Sequence, residues 1–240
     1  MKYNFYMLFL TMITLSKSSN ANIYDKCVNT NHITLTFDDG PHENTLSIMS
    51  TLDKKNISGA FFVNMLNAVR DEKMSNIVST IYSSNHILAS HGFSHAAMEK
   101  LNLFNKEREL YDNEFMFRKL FNKRPRFFRP PYFNYDEETT DVINRFGYDI
   151  ILSNLNTDDW MMDSSLDIYN SFVSKWNNYT GHIMLMHDYQ IHNIDALEQI
   201  IKFVEKENYE FVSLSECIGV DGKYVEDNTY GPYLLNGFSG

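Results

Sequence analysis

The chain has 240 residues, 43% of them hydrophobic and 22% charged, which supports a sizeable core and excludes global disorder. Twenty-one basic residues against 31 acidic ones leave a formal net charge of −10, which argues against a nucleic-acid partner and against docking to anionic lipid. Two Cys are too few for a disulfide scaffold or a Cys-rich zinc module, and ten Gly with five Pro exclude a collagenous or low-complexity chain.

Met1–Ala21 reads as a secretory signal. Lys2 supplies the positive start, Phe5 to Leu15 is apolar apart from threonine, and Ser19-Asn20-Ala21 offers a small-residue cleavage site. The run is too short to span about 30 Å of hydrocarbon comfortably, and no later stretch is longer, so no membrane span is expected once it is removed. A secreted chain makes Asn56-Ile57-Ser58 and Asn178-Tyr179-Thr180 glycosylation acceptors. Cys27 and Cys217 then either pair across the two ends of the mature domain or stay as two buried thiols.

From Ile33 onward, strand and helix patterns alternate. Strands are predicted at Ile33–Phe37, Ala60–Val63, Ile87–Ala89, Arg126–Phe128, Tyr148–Leu155, His182–Met186 and Phe211–Val212. Helices are predicted at Asn44–Lys55, Asp71–Ser84, Lys106–Phe121, Glu137–Phe146 with Gly147 as its cap, Leu166–Trp176 and Ile194–Glu207. This order implies an α/β fold with parallel strands and helices outside. Some seven units without a G-x-G-x-x-G favour a (β/α)7–8 barrel over a dinucleotide-binding sheet. One domain, residues 22–219, is expected, followed by an irregular tail at 220–240.

In such a barrel, chemistry gathers at the carboxyl ends of the strands. Asp38 and Asp39 follow the first strand, His91 and His95 the third, Arg129 the fourth, Asn156 to Trp160 the fifth, and His187 with Asp188 the sixth. His91 and His95, four residues apart, can aim two imidazoles at one ion, and the Asp38-Asp39 pair offers a third ligand. Two His and one carboxylate with an open position form the pattern of a catalytic zinc site. Neighbouring Asp side chains point apart, so one can bind a cation while the other takes a proton from water. Arg129 can hold a carboxylate, the rigid Pro130-Pro131 can present a backbone N–H to an oxyanion, His187 can protonate a leaving group, and Trp160 can stack on a sugar.

These residues spell a known pattern. Thr36-Phe37-Asp38-Asp39-Gly40-Pro41, His91-Gly92-Phe93-Ser94-His95, Arg129-Pro130-Pro131-Tyr132, Asn156-Thr157-Asp158-Asp159-Trp160 and Leu185-Met186-His187 resemble, in order, the five motifs of the polysaccharide deacetylases, the NodB-homology or carbohydrate esterase family 4 group. The resemblance covers about Ile33 to Val212. It implies a distorted (β/α) barrel, a divalent metal, zinc or cobalt, and removal of N-acetyl groups from a chitin-like N-acetylglucosamine polymer outside the cell or in its wall. It also implies Asp38 as base, Asp39, His91 and His95 as metal ligands, and His187 as acid. Arg129 would orient Asp38, the backbone N–H of Tyr132 after Pro131 would bind the oxyanion, and Trp160 with Leu185 would line the acetyl pocket.

Two positions depart from the pattern. Gly92 replaces a Ser or Thr whose hydroxyl would brace its loop. Asn156 replaces the first Asp of the fourth motif, a carboxylate expected to support the catalytic acid, so His187 is expected to be less protonated and activity weakened. The alternative reading is a catalytically impaired member that binds glycan or serves structurally in a cell wall.

Overall fold

The computed structural model describes residues 22–190 and 192–226. The expected signal, Met1–Ala21, lies outside them, as does the tail beyond residue 226. In chain order the elements are β1 (Ile23–Tyr24), β2 (His32–Gly40), α1 (Thr45–Asp53), β3 (Gly59–Val63), α2 (Met65–Ala68), α3 (Glu72–Ser83), β4 (Ile87–Ser90) and α4 (Leu103–Phe121). They continue with β5 (Lys123–Pro125), β6 (Phe127–Phe128), α5 (Glu137–Phe146), β7 (Asp149–Ile151), β8 (Leu155–Asn156), α6 (Ser165–Lys175), β9 (His182–His187), α7 (Asn193–Lys206), β10 (Glu210–Phe211), α8 (Leu214–Ile218) and β11 (Tyr224–Glu226).

The central strand, β2, is buried on both faces. Ile33, Leu35 and Phe37 pack on one side, and Thr34 and Thr36 are fully buried between them. Such a run belongs inside a parallel sheet covered by helices. The main sheet runs β1-β7-β6-β4-β3-β2-β9-β8, with β10 also on β2, and every pairing in it is parallel. Register brings the strand ends level. Asp38 faces both Phe62 and His187, Val63 faces Ser90, and Ser90 faces Phe128. The residues that follow these partners therefore share one rim.

The barrel is open. The expected single strand Tyr148–Leu155 is two strands, β7 near one edge of the sheet and β8 at the other. Only residues 152–154 join them, and four Cα steps span at most about 14 Å. The sheet must curl until its edges nearly meet, yet β7 and β8 do not pair. Arg129 fills this seam, donating from Nε to the Ile151 carbonyl (3.1 Å) and from Nη2 to the Leu152 carbonyl (3.0 Å).

The helices start where local chemistry sets them. Asp71, Asn102, Asp136, Ser164 and Ser213 each accept a backbone N–H from the first turn of α3, α4, α5, α6 and α8. Gly147, at φ 72°, ends α5 as expected. The helix expected from Lys106 starts at Leu103. The tail is not wholly irregular, because β11 pairs antiparallel with β5 and Tyr224 accepts a hydrogen bond from the Leu88 N–H (3.2 Å). Cys27 and Cys217 form a disulfide that closes 190 residues of chain, with Val28 N–H donating to the Cys217 carbonyl beside it. Asn56 and Asn178 are both exposed. Among the described residues, no helix is long and apolar enough to cross a membrane.

Candidate active site

Three ligand-type side chains converge at the rim. Asp39 sits where β2 breaks register, in a left-handed conformation (φ 72°) that turns it away from Asp38. Its Oδ1 lies 3.0 Å from His95 Nε2 and 3.4 Å from His91 Nε2. The three ligand atoms lie within 4.8 Å of one another. His91 Nδ1 is 2.7 Å from the Arg129 carbonyl, which fixes Nδ1 as the donor and leaves the Nε2 lone pair facing Asp39. Neutral imidazole nitrogen and carboxylate oxygen are both acceptors, and Asp39 Oδ1 is buried without a hydrogen-bond partner. Such a meeting of acceptors calls for a cation, and two nitrogens with one oxygen suit a borderline metal such as zinc.

The loop carrying the histidines has its own brace. Gly92 is at φ 78°, a conformation that favours glycine over Ser or Thr. Glu109 of α4 takes over the role expected of the missing hydroxyl. Its Oε2 accepts from the Phe93 and Ser94 N–H groups (2.9 Å each), and its Oε1 accepts from Ser94 Oγ. Asn64 Nδ2 donates to the His91 carbonyl (2.6 Å), and Asn67 Nδ2 to the Asp39 carbonyl (3.0 Å).

The second Asp has a different setting. Asp38 is 2% exposed, and its Oδ1 accepts from Arg129 Nη1 at 2.7 Å. Arg129 is no surface residue. It is fully buried, its Nη1 also reaches Thr36 Oγ1 (2.8 Å), and its guanidinium lies 4.2 Å from the centre of the Phe62 ring. Asp38 Oδ2 stays 3.7 Å from His91 Nε2. One oxygen is thus held by a fixed charge and the other faces the triad.

His187, at the end of β9, faces the triad from the opposite side, its Nε2 4.0 Å from Asp39 Oδ2. Its Nδ1 donates to Asp159 Oδ1 (2.8 Å), and its backbone N–H donates to Asp159 Oδ2 (2.7 Å). Burial alone would push His187 down, but the Asp159 hydrogen bond and charge, with Asp38 and Asp39 behind them, lift it to about 9. This corrects the expectation drawn from Asn156. The carboxylate that supports the imidazole is Asp159, and the Asn156 side chain instead accepts the Asp158 N–H (2.9 Å). In metal-free protein this favours the charged imidazole at neutral pH. Asn193, the first residue of α7, bridges Asp159 Oδ2 (2.5 Å) and the His187 carbonyl through Nδ2.

Burial raises Asp188 to about 7 against the opposing hydrogen bond of Thr45 Oγ1, while the charges of Asp39 and Asp38 add to the rise. Asp39 goes the other way: burial would raise it, but His91 and His95, when protonated in metal-free protein, would hold it well below the usual carboxylate range.

Asp38, Asp39, His95 and His187 line one cavity of about 400 Å³, together with Tyr132, Phe133, Asn156, Trp160, Leu185 and Tyr189. Trp160 is 51% exposed and Tyr132 59%, so neither is a core aromatic. Tyr132 follows the buried Pro131 in a left-handed conformation (φ 60°), and its ring lies 4.6 Å from that of His95. Glu109, Asn193 and Tyr189 were not apparent from the sequence. Glu109 sits mid-helix without a pattern to mark it, and Asn193 reads as an ordinary helix start. Tyr189, two residues past His187, is the one that strand-end position signals.

A family profile described as polysaccharide deacetylase matches residues 25–151. A chitin deacetylase of Arthroderma benhamiae is 27% identical over 203 residues, covering 83% of this chain and 55% of its own length. A peptidoglycan-N-acetylglucosamine deacetylase of Bacillus cereus is 30% identical over 187 residues, covering 76% of this chain and 66% of its own. The chain thus spans between half and two thirds of the length of these relatives. The solved chitin deacetylase of Colletotrichum lindemuthianum has the same fold, with a TM-score of 0.82 at 21% identity over 87% of this chain and 97% of that one.

Proposed function

Because the chain belongs to the polysaccharide deacetylase family, we propose that it is a secreted, metal-dependent hydrolase that removes N-acetyl groups from an N-acetylglucosamine polymer of the chitin or peptidoglycan type. The observation that carries this reading is the meeting of three units in one open cavity: the Asp39–His91–His95 cluster, the Asp38–Arg129 pair and the His187–Asp159 pair.

A divalent cation held by Asp39, His91 and His95, zinc or cobalt, supplies Lewis acidity at the carbonyl to be attacked. The chain's own groups do the rest. Asp38 accepts the proton of the attacking water while Arg129 holds its other oxygen. The backbone N–H of Tyr132, presented by the rigid Pro130-Pro131 turn, donates to the developing oxyanion. His187 enters charged and gives its Nε2 proton to the amide nitrogen as the C–N bond breaks, leaving acetate and a free amine. Trp160 and Leu185 wall the acetyl methyl.

The disulfide and the two exposed Asn-x-Ser/Thr sites support an oxidising, secretory setting. The alternative, an impaired glycan-binding member, rested on the loss of support for His187; the hydrogen bond of His187 Nδ1 to Asp159 favours the active reading. Acetate release from N-acetylated chito-oligosaccharides and from peptidoglycan, with zinc or cobalt added, tests the reading. The expected result is metal-dependent acetate with one free amine per acetate, lost in Asp38→Asn. No acetate from the metal-loaded protein on either substrate between about pH 5 and 9 would overturn it.

A further inference from the structure

Asn193 is fully buried at the start of α7. An asparagine beside a helix start ordinarily accepts a free N–H of the first turn. This one does not, because its Oδ1 is buried without a partner among the described residues. The side chain turns instead to the acid pair. Its Nδ2 carries two protons and meets two acceptors, Asp159 Oδ2 (2.5 Å) and the His187 carbonyl. A buried acceptor left unpaired is costly, so the fold keeps this amide for its donor side. Asp159 otherwise meets His187 alone: the ring Nδ1–H on Oδ1 (2.8 Å) and the backbone N–H on Oδ2 (2.7 Å). Those two bonds join the pair to itself and do not fix where it points. Asn193 is the anchor from a third element, tying the Asp159–Met161 turn and the end of β9 to α7.

We propose that Asn193 is a positioning residue for proton delivery: it locks the Asp159–His187 pair onto α7 so that His187 Nε2 faces the leaving nitrogen. The inference rests on the deacetylase reading. It does not touch substrate or metal, and acts through Asp159 and His187. The residue type follows from the two acceptors. A hydroxyl has one proton and serves one of them, and an ionised carboxylate serves neither.

Asn193→Leu keeps the branched shape and removes the donor; Asn193→Ala is read in the same way should the leucine variant not fold. On N-acetylated chito-oligosaccharides, the zinc-loaded variant should lose about 10–100-fold in kcat, with KM and zinc content unchanged. Residues that act as a unit are not additive, so the double variant with Asp159→Asn should be no slower than Asp159→Asn alone. A residue that serves packing only would multiply its effect with that of Asp159→Asn. NMR of metal-free protein gives a readout that needs no turnover. The His187 Nδ1–H, bonded to a carboxylate, should give a low-field proton resonance in the unaltered protein and lose it in the variant, which still unfolds cooperatively. An unchanged kcat, a multiplying double variant or an unchanged resonance would each overturn the proposal. No acetate from the unaltered protein would overturn the deacetylase reading instead, and the resonance would still show whether Asn193 holds the pair.

Discussion

Replacing Asp159 by Asn removes the charge that faces the His187 imidazole while keeping the shape of the side chain. His187 stands at about 9 against an ordinary 6.5, a difference of about 2.5 units, or roughly 3 kcal/mol favouring the charged form. The largest opposing effect is burial, which remains when the charge is gone. The variant imidazole is therefore expected to titrate at or below about 6.5, so that most of it is neutral at pH 7. The sign for stability follows. A histidine raised on folding stabilises fully below the unfolded value near 6.5, and that contribution is lost as pH rises through about 9. Asp159→Asn should thus be less stable than the parent by up to about 3 kcal/mol at pH 6, with the gap closing above pH 9. The assay is an NMR titration of the His187 ring carbons in metal-free protein, paired with urea unfolding at several pH values. A variant midpoint still above about 8 would refute the reasoning, because Asp38 and Asp39 would then set the charge.

Asn156→Asp, which restores the family residue, is expected to leave the His187 midpoint within about half a unit and to bring no gain in acetate release; a rise of tenfold or so in rate would contradict the Asp159 assignment. Glu109→Ala should loosen the His91–His95 loop and weaken metal affinity by about 10–100-fold without unfolding the domain, as read by competition with a zinc chelator. Asp188 is held protonated up to about 7, so the folded chain binds a proton that the unfolded chain has lost. That penalty appears as pH rises from about 4 to 7, and Asp188→Asn should gain on the parent over this window by up to about 4 kcal/mol in metal-free protein, measured by urea unfolding.

Much of the architecture was legible because β2, β3, β4 and β9 are apolar runs bounded by polar residues, and β2, β4 and β9 carry or directly precede chemistry-bearing side chains: Asp38 with Asp39, His91, and His187. The gathering of Asp38, Asp39, His91, His95, Arg129 and His187 followed from that order alone. The seam was not legible. Ser153-Asn154 is the sole turn-type break within Tyr148–Leu155, and only sheet curvature decides that the segment's two ends belong to opposite edges. The pairing of Tyr224–Glu226 with Lys123–Pro125 joins segments about a hundred residues apart, beyond any local pattern. The partner of His187 was misassigned because spacing within Asn156–Trp160 does not say which carboxyl points inward. The 3₁₀ turn at Asp159–Met161 settles that by burying Asp159 and leaving Asn156 on the cavity wall.

The most direct test of the whole account is metal content. The unaltered protein, equilibrated with zinc and freed of excess, should carry one ion per chain, while Asp39→Asn and His95→Ala should each carry almost none and still unfold cooperatively. Equal zinc in the parent and both variants, or no retained zinc in the parent, would contradict it.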